Sequence, residues 1–364
     1  MVNRMINEYN PETVTHPGET LNDVLEEKGM SQAELSERTG RPKKTINEII
    51  KGKTSITAET AIQFERVLGI PASFWNNRQR RFDEFVAQKA EGDKLLKHRQ
   101  WIKTLPIKEM ISNNWLPAIK QEKALLNEVF KFFGINSPDE WTSVWDKPSI
   151  VYRQSKAFTK NPIATSVWLR AGEIEAQKIQ CKPFDRTRFK IILNQIKPYT
   201  REVPDLFAEK MIEMCAATGI ALVFVPPLKG VPVYGVTRWL NPERALIQLS
   251  LRGKYEDIFW FTFFHEAGHI LLHGKRDVFI ESNIENNSKE NEADSFARDI
   301  LIPQEEWEKF IQANIFSAEK IKTFAKEMNI SPAIVVGRLQ HERKIAFAQL
   351  NGLRRKYELS SNDQ

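Results

Sequence analysis

Ile258-Phe259-Trp260-Phe261-Thr262-Phe263-Phe264-His265-Glu266-Ala267-Gly268-His269 is the stretch on which the reading of this sequence turns. Its first seven residues are apolar on every side apart from Thr262, the mark of a helix buried in a domain core rather than of a surface helix. His265 and His269 stand four residues apart, on one helical face. Two imidazole nitrogens so placed can reach one zinc ion at about 2.0–2.1 Å each. Glu266 follows immediately, beside the open position of such an ion. From there it can take a proton from attacking water and pass it to a leaving amine. Gly268 leaves room for another segment to pass close by.

A catalytic zinc keeps three protein ligands and one open position, so a third ligand is needed. His273 is the nearest imidazole, but at a rise of about 1.5 Å per residue it lies about 12 Å from His265 along the axis. It is therefore read as a supporting, capping or substrate-facing group. The better source is Glu290-Asn291-Glu292-Ala293-Asp294-Ser295-Phe296-Ala297, which opens a helix with Ala293, Phe296, Ala297, Ile300 and Leu301 as its apolar face. At about 100° per residue, Glu290 lies roughly 60° from the centre of that face and Glu292 roughly 100°. Glu290 is the expected ligand, with Glu292 as the alternative. Asp294, one turn on, is placed to accept the ring N–H of a ligating histidine.

The N-terminal part carries a different pattern. Ser31-Gln32-Ala33-Glu34 is a capping box opening one helix, and Gly40 supplies a left-handed end to it. Pro42 sits at the first turn of the next helix, where its missing N–H costs nothing. Thr57 caps another helix that closes before Pro71. Two short helices joined by a turn, with supporting helices around them, predict a helix-turn-helix. In the helix after Pro42, Ile46, Ile49 and Ile50 form a core stripe. Lys43, Lys44, Asn47, Glu48 and Lys51 point away from it and are candidates for reading base edges in a major groove. Gln32, Thr45, Lys51 and Lys53 are placed for phosphates.

Charge supports that assignment. Residues 1–90 are balanced, with 13 Lys/Arg and 13 Asp/Glu, yet six basic residues between Arg38 and Lys53 face only Glu48. A local basic cluster inside a neutral domain is the footprint of a nucleic-acid-reading face. A second basic run, Lys182 to Arg201, reads as a solvated helix face. Two distant cysteines, Cys181 and Cys215, exclude a disulfide framework and point to a reducing compartment. Residues 1–8 show no apolar core of signal-peptide length, and the longest apolar runs are too short to span a bilayer. The expectation is a cytoplasmic protein that does not engage a membrane.

Two resemblances follow from these motifs. His16-Pro17-Gly18-Glu19, Ser31-Gln32-Ala33-Glu34-Leu35, Ile46-Asn47-Glu48-Ile49, Gly52-Lys53, Ile56-Thr57-Ala58-Glu59-Thr60-Ala61 and Phe74-Trp75-Asn76-Asn77 resemble the HigA-type antitoxins of the phage-repressor helix-turn-helix class over about residues 14–85. That resemblance implies a homodimer on a palindromic operator, repressing its own operon, with a small toxin of the RelE or HigB kind as partner. Arg41-Pro42-Lys43-Lys44 departs from the usual Ser/Arg-rich turn, which bears on which bases are read.

Phe261–His273 and Glu290-x-Glu292-Ala293-Asp294-x-Phe296-Ala297…Leu301-Ile302-Pro303 resemble the two motifs of the ImmA/IrrE-type metallopeptidases, with Ile302 in place of the commoner methionine. Ile330-Ser331-Pro332…Val336-Gly337-Arg338-Leu339-Gln340 looks like that family's closing helix. The resemblance covers about 205–345 and implies a gluzincin-like site with zinc as cofactor and a peptide or protein as substrate.

The expected fold is mainly α with a small β-sheet (α+β). It comprises a five-helix DNA-binding domain over 1–88, a helical middle region over 89–204, the zinc-peptidase domain over 205–345 and a tail over 346–364. Ile220–Val225, Val233–Trp239 and Ala245–Leu251 read as strands, and their place before the zinc helix suits an edge strand holding an extended peptide. Trp168-Leu169-Arg170-Ala171-Gly172-Glu173 suggests no chemistry by itself. Two functions fit: a repressor and antitoxin with a fused peptidase, or a non-catalytic peptidase-fold sensor that acts only through DNA and toxin. Glu266 favours turnover, since a purely structural metal site has no use for it.

Overall fold

The computed structural model describes residues 13–146, 161–250, 255–274, 278–280 and 288–357. Residues 1–8, read above for an export signal, lie outside them, as do Leu251 and the tail beyond 357. The chain divides into two compact units, Met1–Lys97 and His98–Gln364.

In the first unit, five helices follow in order: α1 (Pro17–Glu27), α2 (Gln32–Thr39), α3 (Lys43–Ile50), α4 (Ala58–Leu68) and α5 (Ala72–Leu95). Side chains cap α1, α2 and α4, two hydroxyls and an imidazole, while α3 and α5 begin after Pro42 and Pro71. Ser31 Oγ accepts from the Glu34 amide at 3.1 Å, and Thr57 Oγ1 from the Thr60 amide at 3.2 Å. His16 Nδ1 accepts from the Gly18 amide at 2.9 Å, a cap the sequence reading did not foresee. Only half of the expected box forms, because the Glu34 carboxylate turns to Arg38 instead, at 2.6 Å. Leu21, Leu35, Ile46, Ile49, Phe64 and Trp75 close one small core. Helix α5 runs unbroken through position 88, where a domain boundary was expected.

The second unit opens with α6 (Arg99–Ile102), α7 (Ile107–Ser112), α8 (Glu122–Phe133) and α9 (Pro138–Trp141). Trp101 gathers Phe130, Phe133 and Trp141 around it, each ring centre within 6.3 Å. The unit continues through α10 (Pro162–Lys178), α11 (Arg186–Ile196), α12 (Pro204–Ala216), β1 (Ile220–Phe224), β2 (Gly235–Asn241) and β3 (Arg244–Leu249). It closes with α13 (Glu256–Leu272), β4 (Val278–Ile280), α14 (Ser288–Leu301), α15 (Gln304–Gln312), α16 (Ala318–Glu327) and α17 (Pro332–His341). The strands form one sheet in the order β1-β3-β2-β4, with β1 parallel to β3 and the other pairs antiparallel.

The sheet is covered on both faces, and its strands β1 and β3 are accordingly buried along most of their length. Leu222, Ile247 and Leu249 pack with Phe259, Phe263 and Ala267 of α13. On the opposite face, Gln248 donates to Trp168 O of α10 at 2.7 Å, and Arg238 pairs with Glu173 at 3.3 Å. Helix α10 therefore completes this unit's core. The expected division between a middle region and a domain beginning at 205 does not appear: a sheet exposed on one apolar face would be unstable alone, and α10 supplies the cover. Strand β4 pairs with β2, Thr237 standing opposite Phe279. One further expectation changes: the stretch after 346 is not a tail as far as 357, since Leu353 packs against the core and Tyr357 is buried.

A candidate metal centre and a helix-turn-helix

Helix α13 runs through the middle of the second unit, so both of its histidines are buried. Helix α14 crosses it closely at Gly268. A Cβ there would stand 3.1 Å from Phe296 Cδ1 and 3.2 Å from Ala293 Cα, so a side chain would push the helices apart. That approach brings Glu290 and Asp294 against His265. His265 Nε2 lies 3.0 Å from His269 Nε2. Glu290 reaches His265 Nε2 at 3.2 Å with one carboxylate oxygen, and His269 Nε2 at 3.6 Å with the other. Ligands about 2.0–2.1 Å from a tetrahedral zinc ion stand about 3.3 Å apart. The two Nε2 atoms and the Glu290 carboxylate are thus spaced as the ligands of one such ion, and the residues present fit the metal.

Behind this face, Asp294 Oδ1 lies 2.9 Å from His265 Nδ1. The carboxylate accepts the Nδ1 proton, which leaves Nε2 as a lone pair facing the cluster. Burial depresses the His269 imidazole to about 4, against a smaller upward pull from Glu290. Burial alone would raise the Glu290 carboxyl, but the His265 and His269 imidazoles beside it outweigh that and hold it at about 2. A neutral imidazole beside an ionised carboxylate is the protonation state that metal ligation needs.

Glu266 is fully buried on the same helix, pressed against β2: a Cβ on Gly235 would come within 2.8 Å of its Oε1. Thr237 Oγ1 donates to the Glu266 carbonyl at 3.1 Å and fixes the helix to that strand. Arg186 Nη2 donates to Leu271 O at 2.6 Å at the helix's far end. Neither contact was foreseen, since each joins residues far apart in sequence.

The remaining expected residues separate. Glu292 is largely exposed and approaches His273 Nδ1 only to 3.9 Å. His273 follows the last residue of α13, and its Nε2 lies 3.0 Å from Lys289 O, so it ties the helix end to the start of α14.

At the other end of α13 a second feature was missed. Glu256 and Asp257, both buried, open the helix and meet two arginines from the C-terminal segment. Arg355 Nε donates to Glu256 Oε2 at 2.8 Å; Arg354 donates to both Asp257 oxygens, at 2.9 and 2.8 Å. Two acids just ahead of the apolar run from Ile258 to Phe264 were the available signal, because buried charges require partners.

In the first unit, Lys43, Lys44, Lys51 and Lys53 are exposed on and just after α3, while Thr45, Asn47 and Glu48 are half-buried. Asn47 Nδ2 donates to Gln32 Oε1 at 3.2 Å, so these two act as a pair. Lys44 and Glu48 stand 3.9 Å apart on the exposed face.

Comparison with known proteins agrees with this division. Residues 21–75 match the helix-turn-helix family, and residues 223–340 match the IrrE N-terminal-like domain, a peptidase family. The virulence-associated protein I of Dichelobacter nodosus is 35% identical over 74 residues, 20% of this chain and 68% of that protein. An addiction module antidote protein of a HigA family from Coxiella burnetii is 33% identical over 23% of this chain and 92% of its own, with a TM-score of 0.22. The Pseudomonas aeruginosa antitoxin HigA, solved with the higBA promoter, is 32% identical over 22% of this chain and 90% of its own, with a TM-score of 0.22. The chain belongs to the helix-turn-helix family in its HigA-like N-terminal part and carries an IrrE-like peptidase domain in its C-terminal part. Among the described residues, no helix is long and apolar enough to cross a membrane.

Proposed function

We propose that this protein is a DNA-binding repressor of the antitoxin type whose second unit is a zinc-dependent metallo-endopeptidase. The observation that carries the peptidase reading is the triangle of His265, His269 and Glu290 with Asp294 behind it. His265, His269 and Glu290 would hold the zinc ion. When bound, zinc supplies a Lewis acid that polarises a scissile carbonyl and acidifies water. Glu266 accepts the proton of the attacking water at its carboxylate and returns it to the amine nitrogen as the C–N bond breaks. Asp294 keeps His265 in the Nδ1–H tautomer throughout. The substrate is a protein segment, bound extended along an edge strand of the sheet.

In the first unit, α3 enters the major groove, Asn47 with Gln32 reads a base edge, and the exposed lysines hold phosphates. The protein acts as a homodimer on a palindromic operator and pairs with a small toxin, as the HigA-like sequence of α1–α5 supports. Wild type and Glu266→Gln protein, incubated with zinc, upstream DNA and the product of the adjacent gene, are compared by mass spectrometry. Fragments formed by wild type alone are expected. Equal repression and toxin rescue by both proteins, without fragments, would replace the peptidase with a metal-binding sensor.

A further inference from the structure

One turn upstream of His265, the face of α13 no longer lines the metal centre but a separate cavity of about 520 Å³. Its lining includes none of His265, Glu266, His269 or Glu290. Its walls are apolar: Ile258 and Phe261 from α13, Leu301 and Ile302 at the end of α14, and Ile334 from α17. The C-terminal segment roofs it with Phe347, a ring that is 71% exposed at the mouth. A cavity of this size exceeds what one side chain fills and falls in the range of small-molecule sites, about 300–1,000 Å³ with mostly apolar walls and few polar groups.

The charged groups of the lining differ in how they are paired. Among the described residues, Arg298, Arg338, Arg354 and Asp257 are those of fixed charge that line it. Arg354 and Asp257 neutralise each other at 2.8 Å. Arg338 is locked in place, donating to Glu342, to Ile302 O and to Gln304 Oε1 at 2.9, 3.0 and 2.8 Å. Arg298 is held more loosely: it donates to Ser295 Oγ at 3.2 Å and stands 3.8 Å from Asp294. Burial lowers the Arg338 guanidinium, against an upward pull from Glu342, and the charge of Arg298 adds a smaller lowering. Arg338 is neutralised by Glu342, so Arg298, 3.8 Å from Asp294, is the most loosely paired guanidinium of this apolar chamber. A neutral occupant would strip water from Arg298 and give nothing back, whereas a carboxylate would bind it through charge-assisted hydrogen bonds.

We propose that this cavity binds a small amphipathic anion, an apolar or aromatic body bearing one carboxylate, at a site distinct from the metal centre. The apolar body lies between Phe261, Ile302 and Ile334, Phe347 closes over it, and the carboxylate meets Arg298 at the rim. The site shares α13 with the metal cluster, the Phe261 and His265 rings standing 6.2 Å apart. Its occupancy does not depend on turnover.

The test is calorimetric titration of the full chain with decanoate and naphthalene-2-acetate, each against its uncharged amide. Saturable binding of at least one acid is expected, about one per chain, with its amide about tenfold weaker. Arg298→Gln lowers acid affinity about tenfold and leaves the amide unchanged. Phe347→Ala weakens acid and amide alike. Both positions are partly or largely exposed, so the variants fold, and an unchanged melting temperature checks this. Saturable binding by neither acid overturns the proposal. Equal binding of acid and amide also overturns it, in favour of a pocket for an apolar peptide side chain, and so does wild-type acid affinity in Arg298→Gln.

Discussion

Asp294 Oδ1 stands 2.9 Å from His265 Nδ1, and this contact decides which nitrogen of the ring faces Glu290. Without the carboxylate, the ring is free to rotate and to exchange tautomers. Asp294→Ala is therefore expected to weaken zinc binding about 10–100-fold while leaving all three ligands in place. Competition with a chelator of known affinity measures it, and wild-type affinity would remove Asp294 from the site.

Elemental analysis should find one zinc per chain. His265→Ala and Glu290→Ala lower that content, because each removes one corner of the triangle. Glu292→Ala leaves it unchanged, since that carboxylate is 58% exposed and turned toward His273. Glu266→Gln keeps the metal and abolishes cleavage, as only proton transfer is lost. Loss of zinc from Glu292→Ala with retention by Glu290→Ala would exchange the two roles.

The metal-free protein should lose stability as the medium becomes acidic. His269 is pushed down in the fold from 6.5 to about 4, so between those values the unfolded chain binds the extra proton. Glu290, held at about 2, acts in the same direction below its ordinary 4.5. Both contributions are present near neutrality and disappear as pH falls. Denaturant titrations at about pH 7 and pH 5 should differ by on the order of 1–2 kcal/mol from His269. A His269→Gln variant should flatten that difference, and an unaltered slope would contradict the assignment.

DNA binding should be steeply salt-dependent, as expected when lysines displace counterions from phosphates. Asn47→Ala relaxes base preference, because it also breaks the pair with Gln32. Lys53→Ala weakens all sequences alike, its ammonium being exposed beyond α3. Gel-shift titrations on the upstream palindrome separate the two effects. Unchanged affinity in a Lys43→Ala, Lys44→Ala, Asn47→Ala triple variant would dismiss α3 as the reading helix.

Arg354→Ala should destabilise the second unit by about 3–5 kcal/mol, since it leaves the Asp257 carboxylate buried without its cation. Replacing both partners by apolar residues should restore most of the loss. Thermal unfolding of the single and double variants decides, and a neutral Arg354→Ala would show that the pair is ornamental.

What the sequence disclosed was local. The spacing of His265 and His269 and the angular position of Glu290 on its own helix are helical periodicities, and the structure brings those three side chains together as that periodicity implies. The caps at Ser31 and Thr57 were legible for the same reason. Thr237 under Glu266, α10 behind Gln248 and Arg354 on Asp257 were not, because each contact joins segments whose meeting depends on the whole topology. Trp168-Leu169-Arg170-Ala171-Gly172-Glu173 illustrates the limit. As a string it suggests no chemistry, yet in the fold it covers the far face of the sheet and gives Arg238 its counter-ion.

The clamp on α13 also sets an order of events during synthesis. Arg354 and Arg355 follow the acids they neutralise by 97 and 99 residues. At about 5–20 residues per second, a ribosome needs roughly 5–20 seconds to cover that distance. For that interval both histidines, and soon Glu290, have left the exit tunnel while Glu256 and Asp257 still lack their cations. The helix that carries the histidines can bury its first turn only after the arginines arrive.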